Sequence, residues 1–300
     1  MNLTENKIVL KDAATVILVR SLKSDDWEIF LARRHQNQTF MAGAYVFPGG
    51  QLEETDNDPQ LENYIKTADI FDPCRLLQDS SLPGGKARGF FIAAIRETFE
   101  EAGILLGGKS PGNFISFRDE KVLKRLNDYR HQLNASQITL VEIAQKEVIS
   151  FFPDALIPYA HWITPEFEKK RFSTRFFLAK LPLGQTPVAD AMELTESLWV
   201  TPQKALEMNR RKEIILMPPT FKTIEELSAF REIDELFSSA KTKIIYPILP
   251  QLAGNILKLP HDPEYSIDVY KRAVNLSEPS RILAENGVWK TAFYNPRHES

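Results

Sequence analysis

The chain has 300 residues, 43% of them hydrophobic and 26% charged, with a formal charge of −3 and one cysteine, Cys74. That length buries a full core, as one large domain or a domain plus an appendage. The mild negative charge argues against a nucleic-acid backbone as main partner, which needs a strong basic field. One cysteine forms no intrachain disulfide and no cysteine zinc cluster, and no signal-peptide core or bilayer-length apolar run is present, so the expectation is a cytoplasmic protein with no membrane partner.

Residues 13–19 are an apolar run rich in β-branched side chains, the pattern of a buried strand. Residues 27–32 alternate as a second strand across a charged turn at 23–26. Residues 45–47 give a third short strand, stopped by Pro48-Gly49-Gly50. Residues 57–88 differ. Asp58-Pro59, Asp72-Pro73 and Pro83-Gly84-Gly85 punctuate them, with one helix-like piece at 61–68, so they read as a surface insertion. A strong helix follows at 90–101, with Gly103 placed for a left-handed cap. Helical periodicity returns at 121–133 and 139–151, strands at 156–163, 174–179 and 198–200, then helices at 201–208 and 220–237. Beyond Lys241 the chain is proline-rich, with strand-like pieces at 243–247, 255–259 and 267–273. This irregular interspersion predicts an α+β fold, a mixed sheet flanked by helices, rather than a regular βαβ array.

The chemistry concentrates in Arg96-Glu97-Thr98-Phe99-Glu100-Glu101-Ala102-Gly103-Ile104. On a helix Glu97 is three residues from Glu100 and four from Glu101, so three carboxylates converge on one side, and Arg96 reaches Glu100 at a spacing of four. Like charges so close cost free energy unless a cation screens them. Magnesium takes hard oxygen ligands and keeps several waters, so it would remove that cost and bridge diphosphate oxygens. Phe91, Ala94, Ile95 and Thr98 make an opposite side apolar enough to pack on a sheet, leaving the acids facing outward. A lone Glu-Glu pair is ordinarily solvated surface. Here an arginine, a glycine and a distant glycine turn accompany it at particular spacings.

These residues resemble a Nudix box: Gly, five residues, Glu, seven residues, then Arg-Glu-U-x-Glu-Glu-x-Gly-U, with U usually aliphatic. Arg96, Glu97, Glu100, Glu101, Gly103 and Ile104 match the second half, with Thr98 at the first U. Gly50 and Asp56 match the first half, with Asp in place of Glu, and 39 residues rather than seven separate Asp56 from Arg96. The 32 extra residues correspond to the 57–88 stretch. An insertion there resembles the peroxisomal-type coenzyme A and acyl-coenzyme A diphosphatases of animals and their bacterial relatives, as do residues 33–50. Leu31, Arg34, Gly43 and Phe47-Pro48-Gly49-Gly50 also fit the coenzyme A signature of other Nudix enzymes, whereas Ala32, His35 and Thr39 depart from it.

The resemblance implies an α/β/α sandwich of Nudix type over residues 8–210. Within it lie the 57–88 insertion and a helical segment at 118–152, and a helical and strand extension at 211–300 packs on it. It implies Glu97, Glu100 and Glu101 as ligands of Mg2+ or Mn2+. Glu97, Glu100 and Arg96 form the catalytic set, and Arg34, Gly49 and Gly50 bind substrate, glycine bending closely around such a site at low cost. The implied reaction cleaves the diphosphate linkage of coenzyme A or acyl-coenzyme A to 3′,5′-ADP and (acyl-)4′-phosphopantetheine. A Nudix pyrophosphatase for ADP-ribose or another nucleoside diphosphate derivative is one alternative. A non-catalytic nucleotide or acyl-coenzyme A binding module is another, and a homodimer stays open.

A further acid from a late loop often joins such sites; Glu193 and Glu196 are candidates, each otherwise part of a surface turn. Adjacent strand residues face opposite sides, so of Arg33 and Arg34 only one reaches a ligand, and Arg34 is favoured. Arg171 and Arg175 could serve a 3′-phosphate or be solvated charge. His161-Trp162 could stack an adenine or belong to the core. Pro83-Gly84-Gly85-Lys86 lacks the spacing of a P-loop and reads as a turn.

Overall fold

Alternation in β1 (Leu10–Ser21) sets the layering. Ala14, Val16 and Leu18 enter one apolar core and Ile17 and Val19 another, all fully buried. Period-two placement gives this result in a strand covered on both faces. The structure, a computed structural model, describes residues 9–22, 26–36, 41–187 and 194–296. Strand β2 (Trp27–Arg34) returns antiparallel to β1 with Ile29 opposite Val19, the expected hairpin, whose turn residues 23–25 lie outside the described residues. The short strands β3 (Tyr45–Val46) and β4 (Gly49–Gln51) pair with β2 and β1. The glycines therefore continue the sheet instead of stopping it, with Gly49 opposite Thr15 and Gly50 opposite Ala14.

Two short 3-10 turns, Glu54–Asn57 and Pro59–Tyr64, replace the helix-like piece expected at 61–68; the one-turn helix α1 (Pro73–Leu76) follows, with Asp72 accepting from the Arg75 N–H at its start. The insertion ends earlier than its composition suggests. Pro83 is the N-cap of α2 (Gly84–Ala102), so residues 84–88 begin the long helix and are not a turn. Proline is tolerated there because the first turn leaves its N–H groups unsatisfied anyway. Gly103 closes the helix at φ 69°, its N–H donating to the Phe99 carbonyl, as expected.

Strands β5 (Gly107–Ser110) and β6 (Asn113–Phe114) precede helices α3 (Glu120–Asn134) and α4 (Leu140–Glu147). The helix expected over 139–151 stops at Glu147. Val148 adopts a left-handed conformation, and β7 (Ser150–Phe151) pairs with β5. Then come β8 (Ile157–Ile163), β9 (Arg171–Lys180), β10 (Leu194–Val200) and helix α5 (Pro202–Arg210). The single helix expected over 220–237 is two, α6 (Pro218–Leu227) and α7 (Ile233–Thr242). Ser228 ends the first by donating its hydroxyl to the Glu225 carbonyl, a local bond that competes with helix continuation. The bend lets Ile224 and Leu227 enter the same core as Leu236 and Ala240.

Strand β11 (Pro247–Ile248) joins the main sheet, whose order is β10-β2-β1-β9-β8-β11 with β1 parallel to β9. The last four strands, β12 (Gln251–Ala253), β13 (Ile256–Lys258), β14 (Arg281–Glu285) and β15 (Val288–Ala292), make a separate antiparallel sheet. Residues 267–273, strand-like in composition, are instead turns and irregular chain. The β14–β15 hairpin closes through Asn286-Gly287, both at positive φ, the dipeptide that two-residue hairpins favour. Helices α2, α3 and α4 supply one core; α5, α6, α7 and the C-terminal sheet supply the other. The result is the expected mixed sheet flanked by helices. No helix among the described residues is long and apolar enough to cross a membrane.

Candidate active site

Helix α2 is buried on nearly every side from Gly89 onward. Phe90, Phe91, Ala94, Ile95, Thr98 and Phe99 are all buried, and so are the acids: Glu97 is 9% exposed, Glu100 9% and Glu101 4%. The carboxylates therefore do not face bulk solvent, contrary to the outward orientation expected from helical spacing. They line a cleft of about 1150 Å³ together with Arg34, Phe47, Gly49, Gly50 and Arg96.

Arg96 organises the cluster. Its Nε and Nη2 donate to the two carboxylate oxygens of Asp56 at 2.9 Å each, and Nη1 donates to Glu97 at 2.9 Å and Glu100 at 2.7 Å. The remaining Nη2 hydrogen goes to the Gln51 carbonyl at 2.8 Å. A planar guanidinium is suited to such two-pronged pairing. Asp56 is itself buried at 1% exposure and accepts the Glu53 N–H at 2.8 Å. Sequence spacing aligned Asp56 with the box; only the fold shows it as the anchor of Arg96.

Burial pushes the carboxyl groups of Glu97, Glu100 and Asp56 above their usual range, with the Arg96 charge opposing it in each case. Glu101 and Glu100 add like-charge repulsion at Glu97. Burial alone would lower Arg96, but its hydrogen bonds to Asp56 and the charges of Glu97, Asp56 and Glu100 outweigh that and raise it. Arg96 therefore stays a cation.

The glycine segment meets the acids directly. The Gly49 N–H donates to Glu101 Oε2 at 2.8 Å. A Cβ on Gly50 would lie 2.2 Å from Glu97 Oε1, and one on Gly49 would lie 2.3 Å from the Ala14 carbonyl. Glycine is required at both by close approach. From α3, Arg130 donates Nε to the Glu100 carbonyl at 2.8 Å and Nη2 to the Glu101 carbonyl at 2.9 Å. A buried cation thus satisfies carbonyls in the last turn of α2, the favourable end for positive charge. Its distance in sequence gave no signal for this role.

The donor set suits a hard divalent cation in part. Glu97 and Glu100 each keep one oxygen outside the Arg96 contacts. Among the described residues, however, no three acidic, imidazole or thiol side chains are gathered as a closed metal cluster. A hard divalent cation can be held by one or two carboxylates together with substrate phosphates and waters rather than by an all-protein cage.

Other candidates separate. Arg34 lines the cleft, whereas Arg33 lies 3.5 Å from Glu196, which also accepts the Tyr45 hydroxyl at 2.9 Å. Glu196 is therefore engaged by these two groups and is not among the cleft-lining residues; Glu193 lies outside the described residues. Arg175 is neither ligand-facing nor solvated. It is buried and donates to Asp79 at 2.6 Å, binding the insertion to the sheet. His161 is core, with its Nε2 2.8 Å from the Ser173 hydroxyl, while Trp162 and Arg171 line the cleft.

Comparison with known proteins places this geometry. Residues 62–227, more than half of the chain, match the family model described as NUDT19 Nudix domain. The chain belongs to that family. It is thus a Nudix pyrophosphohydrolase, of a superfamily that generally uses divalent metal ions. It is 29% identical over 283 residues to the acyl-coenzyme A diphosphatase NUDT19 of Xenopus laevis, covering 82% of this chain and 73% of that protein. The protein of the same name from Gallus gallus is 28% identical over 287 residues, covering 80% and 75%. The crystal structure of a NUDIX hydrolase from Alicyclobacillus acidocaldarius superposes with a TM-score of 0.63 at 22% identity, covering 77% of this chain and 96% of that one. That likeness establishes the fold.

Proposed function

We propose that this Nudix chain hydrolyses the diphosphate linkage of coenzyme A or an acyl-coenzyme A, giving 3′,5′-ADP and (acyl-)4′-phosphopantetheine. The observation that carries the reading is the Arg96-held acid cluster lining a cleft of about 1150 Å³, in a family whose similar relatives are named acyl-coenzyme A diphosphatases. Glu97, Glu100 and Glu101 would hold Mg2+ or Mn2+, which supplies charge neutralisation on the diphosphate oxygens when bound. Water adds to one phosphorus, the bridging P–O bond breaks, and one of these carboxylates orients the water or takes its proton. Arg96 acts through the acids it holds. Arg34, Gly49 and Gly50 line the same cleft as the acids, so the diphosphate would seat against them.

Residues 211–300 also contribute to the cleft lining. Met217, Pro218, Leu252, Leu257 and Trp289 are among them, an apolar surface suited to a pantetheine arm and acyl chain. Cytoplasmic residence is part of this reading, supported by the single cysteine. A substrate panel with magnesium tests it: coenzyme A and acyl-coenzyme A turned over in preference to ADP-ribose is the expected result. Turnover of ADP-ribose alone favours the other Nudix pyrophosphatase, and binding with no turnover favours a non-catalytic module.

A further inference from the structure

The connection between β8 and β9 carries Phe167-Glu168-Lys169-Lys170 and leads into Arg171, the first residue of β9, and all five residues line the cleft. Its base is fixed. The Phe172 N–H donates to the Thr164 hydroxyl at 3.0 Å, the Thr164 N–H to the Phe172 carbonyl at 2.9 Å, and Arg171 Nε to the Thr164 carbonyl at 3.1 Å. Lys11 lines the same cleft and is the register partner of Phe172 across the parallel β1–β9 ladder. Among the described residues, neither Lys11 nor Lys169 forms an ion pair, although Glu166 and Glu168 belong to the same arm and Glu166 lies 3.9 Å from Arg171.

Two further observations point to a ligand here. Phe167 is 53% exposed, an apolar ring left in solvent on a cleft wall. Trp162, near the end of β8, is 4% exposed and lines the cleft, yet among the described residues its indole N–H has no hydrogen-bond partner. A buried donor of this kind ordinarily has a partner. Strand β1 separates the arm from the acids: β4, with Gly49 and Gly50, pairs on one side of it and β9 on the other. Two strand spacings, on the order of 10 Å, therefore part the diphosphate end from the cationic arm.

We infer that this arm, through Lys169 and Lys170 and together with Lys11 of β1, binds a second phosphate carried on the nucleoside half of the substrate, with Phe167 against the base. The inference rests on the coenzyme A reading, in which that group is the 3′-phosphomonoester. The arm then separates 3′-phosphorylated substrates from those that lack the group, because charge-assisted hydrogen bonds from the lysines form only when that phosphate is present.

The test compares kcat/KM for coenzyme A and 3′-dephospho-coenzyme A in the wild-type protein and in the exposed double variant Lys169→Gln/Lys170→Gln. Coenzyme A turnover is expected to fall about tenfold or more, the scale of a lost charge-assisted hydrogen bond, with dephospho-coenzyme A changed by less than about twofold. Equal loss on both substrates, or loss on neither, overturns the inference. If the wild-type protein hydrolyses neither, the proposed function fails and binding alone decides the arm. Tighter binding of 3′,5′-ADP than of AMP, abolished in the double variant, supports it; equal binding of the two nucleotides refutes it.

Discussion

All five N–H groups of Arg96 are committed to Asp56, Glu97, Glu100 and the Gln51 carbonyl, so the side chain has none left for substrate. Its task is to hold two like-charged carboxylates at a fixed separation in a buried place. Asp56 makes this possible by neutralising the guanidinium from the opposite side. Removing Asp56 would leave a buried cation with its bidentate partner gone. The variant Asp56→Ala is expected to lose about 3–5 kcal/mol of stability in urea denaturation and to lose activity through misplacement of Glu97 and Glu100. A denaturation curve superposing on that of the wild-type protein would remove Asp56 from this role.

At the scale of elements, α2 was legible because its apolar periodicity, its acids and Gly103 all agree locally. The strands β1, β2, β8 and β9 were legible by the same consistency. What escaped depends on contacts made over distance. Arg130 satisfies the end of α2 from a helix about thirty residues on, and nothing in its neighbourhood marks it. The start of α2 was obscured because Pro83-Gly84-Gly85 carries turn chemistry that a helix N-terminus also accepts. The Asn286-Gly287 hairpin signal stood in the sequence unread, inside a proline-rich stretch.

The β8–β9 pair has a pH consequence. Burial, with the nearby Arg175 charge, pushes the His161 imidazole down to about 3, with Asp79 opposing. The folded protein therefore keeps His161 neutral, while the unfolded chain protonates it near 6.5. Stability from this group is present above that pH and is lost as pH falls towards 3, the unfolded state binding the extra proton. Melting temperatures at about pH 7 and about pH 4.5 should differ more in the wild-type protein than in His161→Gln. An identical acid shift in both would exclude His161 as a contributor.

Across the whole molecule, residues 57–88 are bonded both to the main sheet and to the chain beyond Thr242. The Gln78 side chain donates to the Lys243 carbonyl at 2.8 Å and accepts the Ile245 N–H at 3.0 Å, while Asp79 pairs with Arg175 of β9. The segment inside the box thus buttresses the side of the sheet that the C-terminal extension also reaches. On that extension Leu252 is 48% exposed and lines the cleft, so it can be changed with little effect on the core. Leu252→Asp is expected to lower kcat/KM for long-chain acyl-coenzyme A by about tenfold and to leave coenzyme A nearly unchanged, since each buried methylene contributes roughly 0.8 kcal/mol. A uniform effect on both substrates would place the acyl chain elsewhere.

The proposed hydrolysis requires the acids of α2 to act with a divalent cation on a diphosphate. Product analysis of coenzyme A hydrolysis, with magnesium added stepwise to the wild-type protein and to Glu100→Gln, tests that dependence directly. The expected result is metal-dependent release of 3′,5′-ADP and 4′-phosphopantetheine, reduced about 100- to 1,000-fold in the variant, which keeps a cooperative melting transition. Turnover that survives chelation, or a Glu100→Gln protein as active as the wild type, would contradict it.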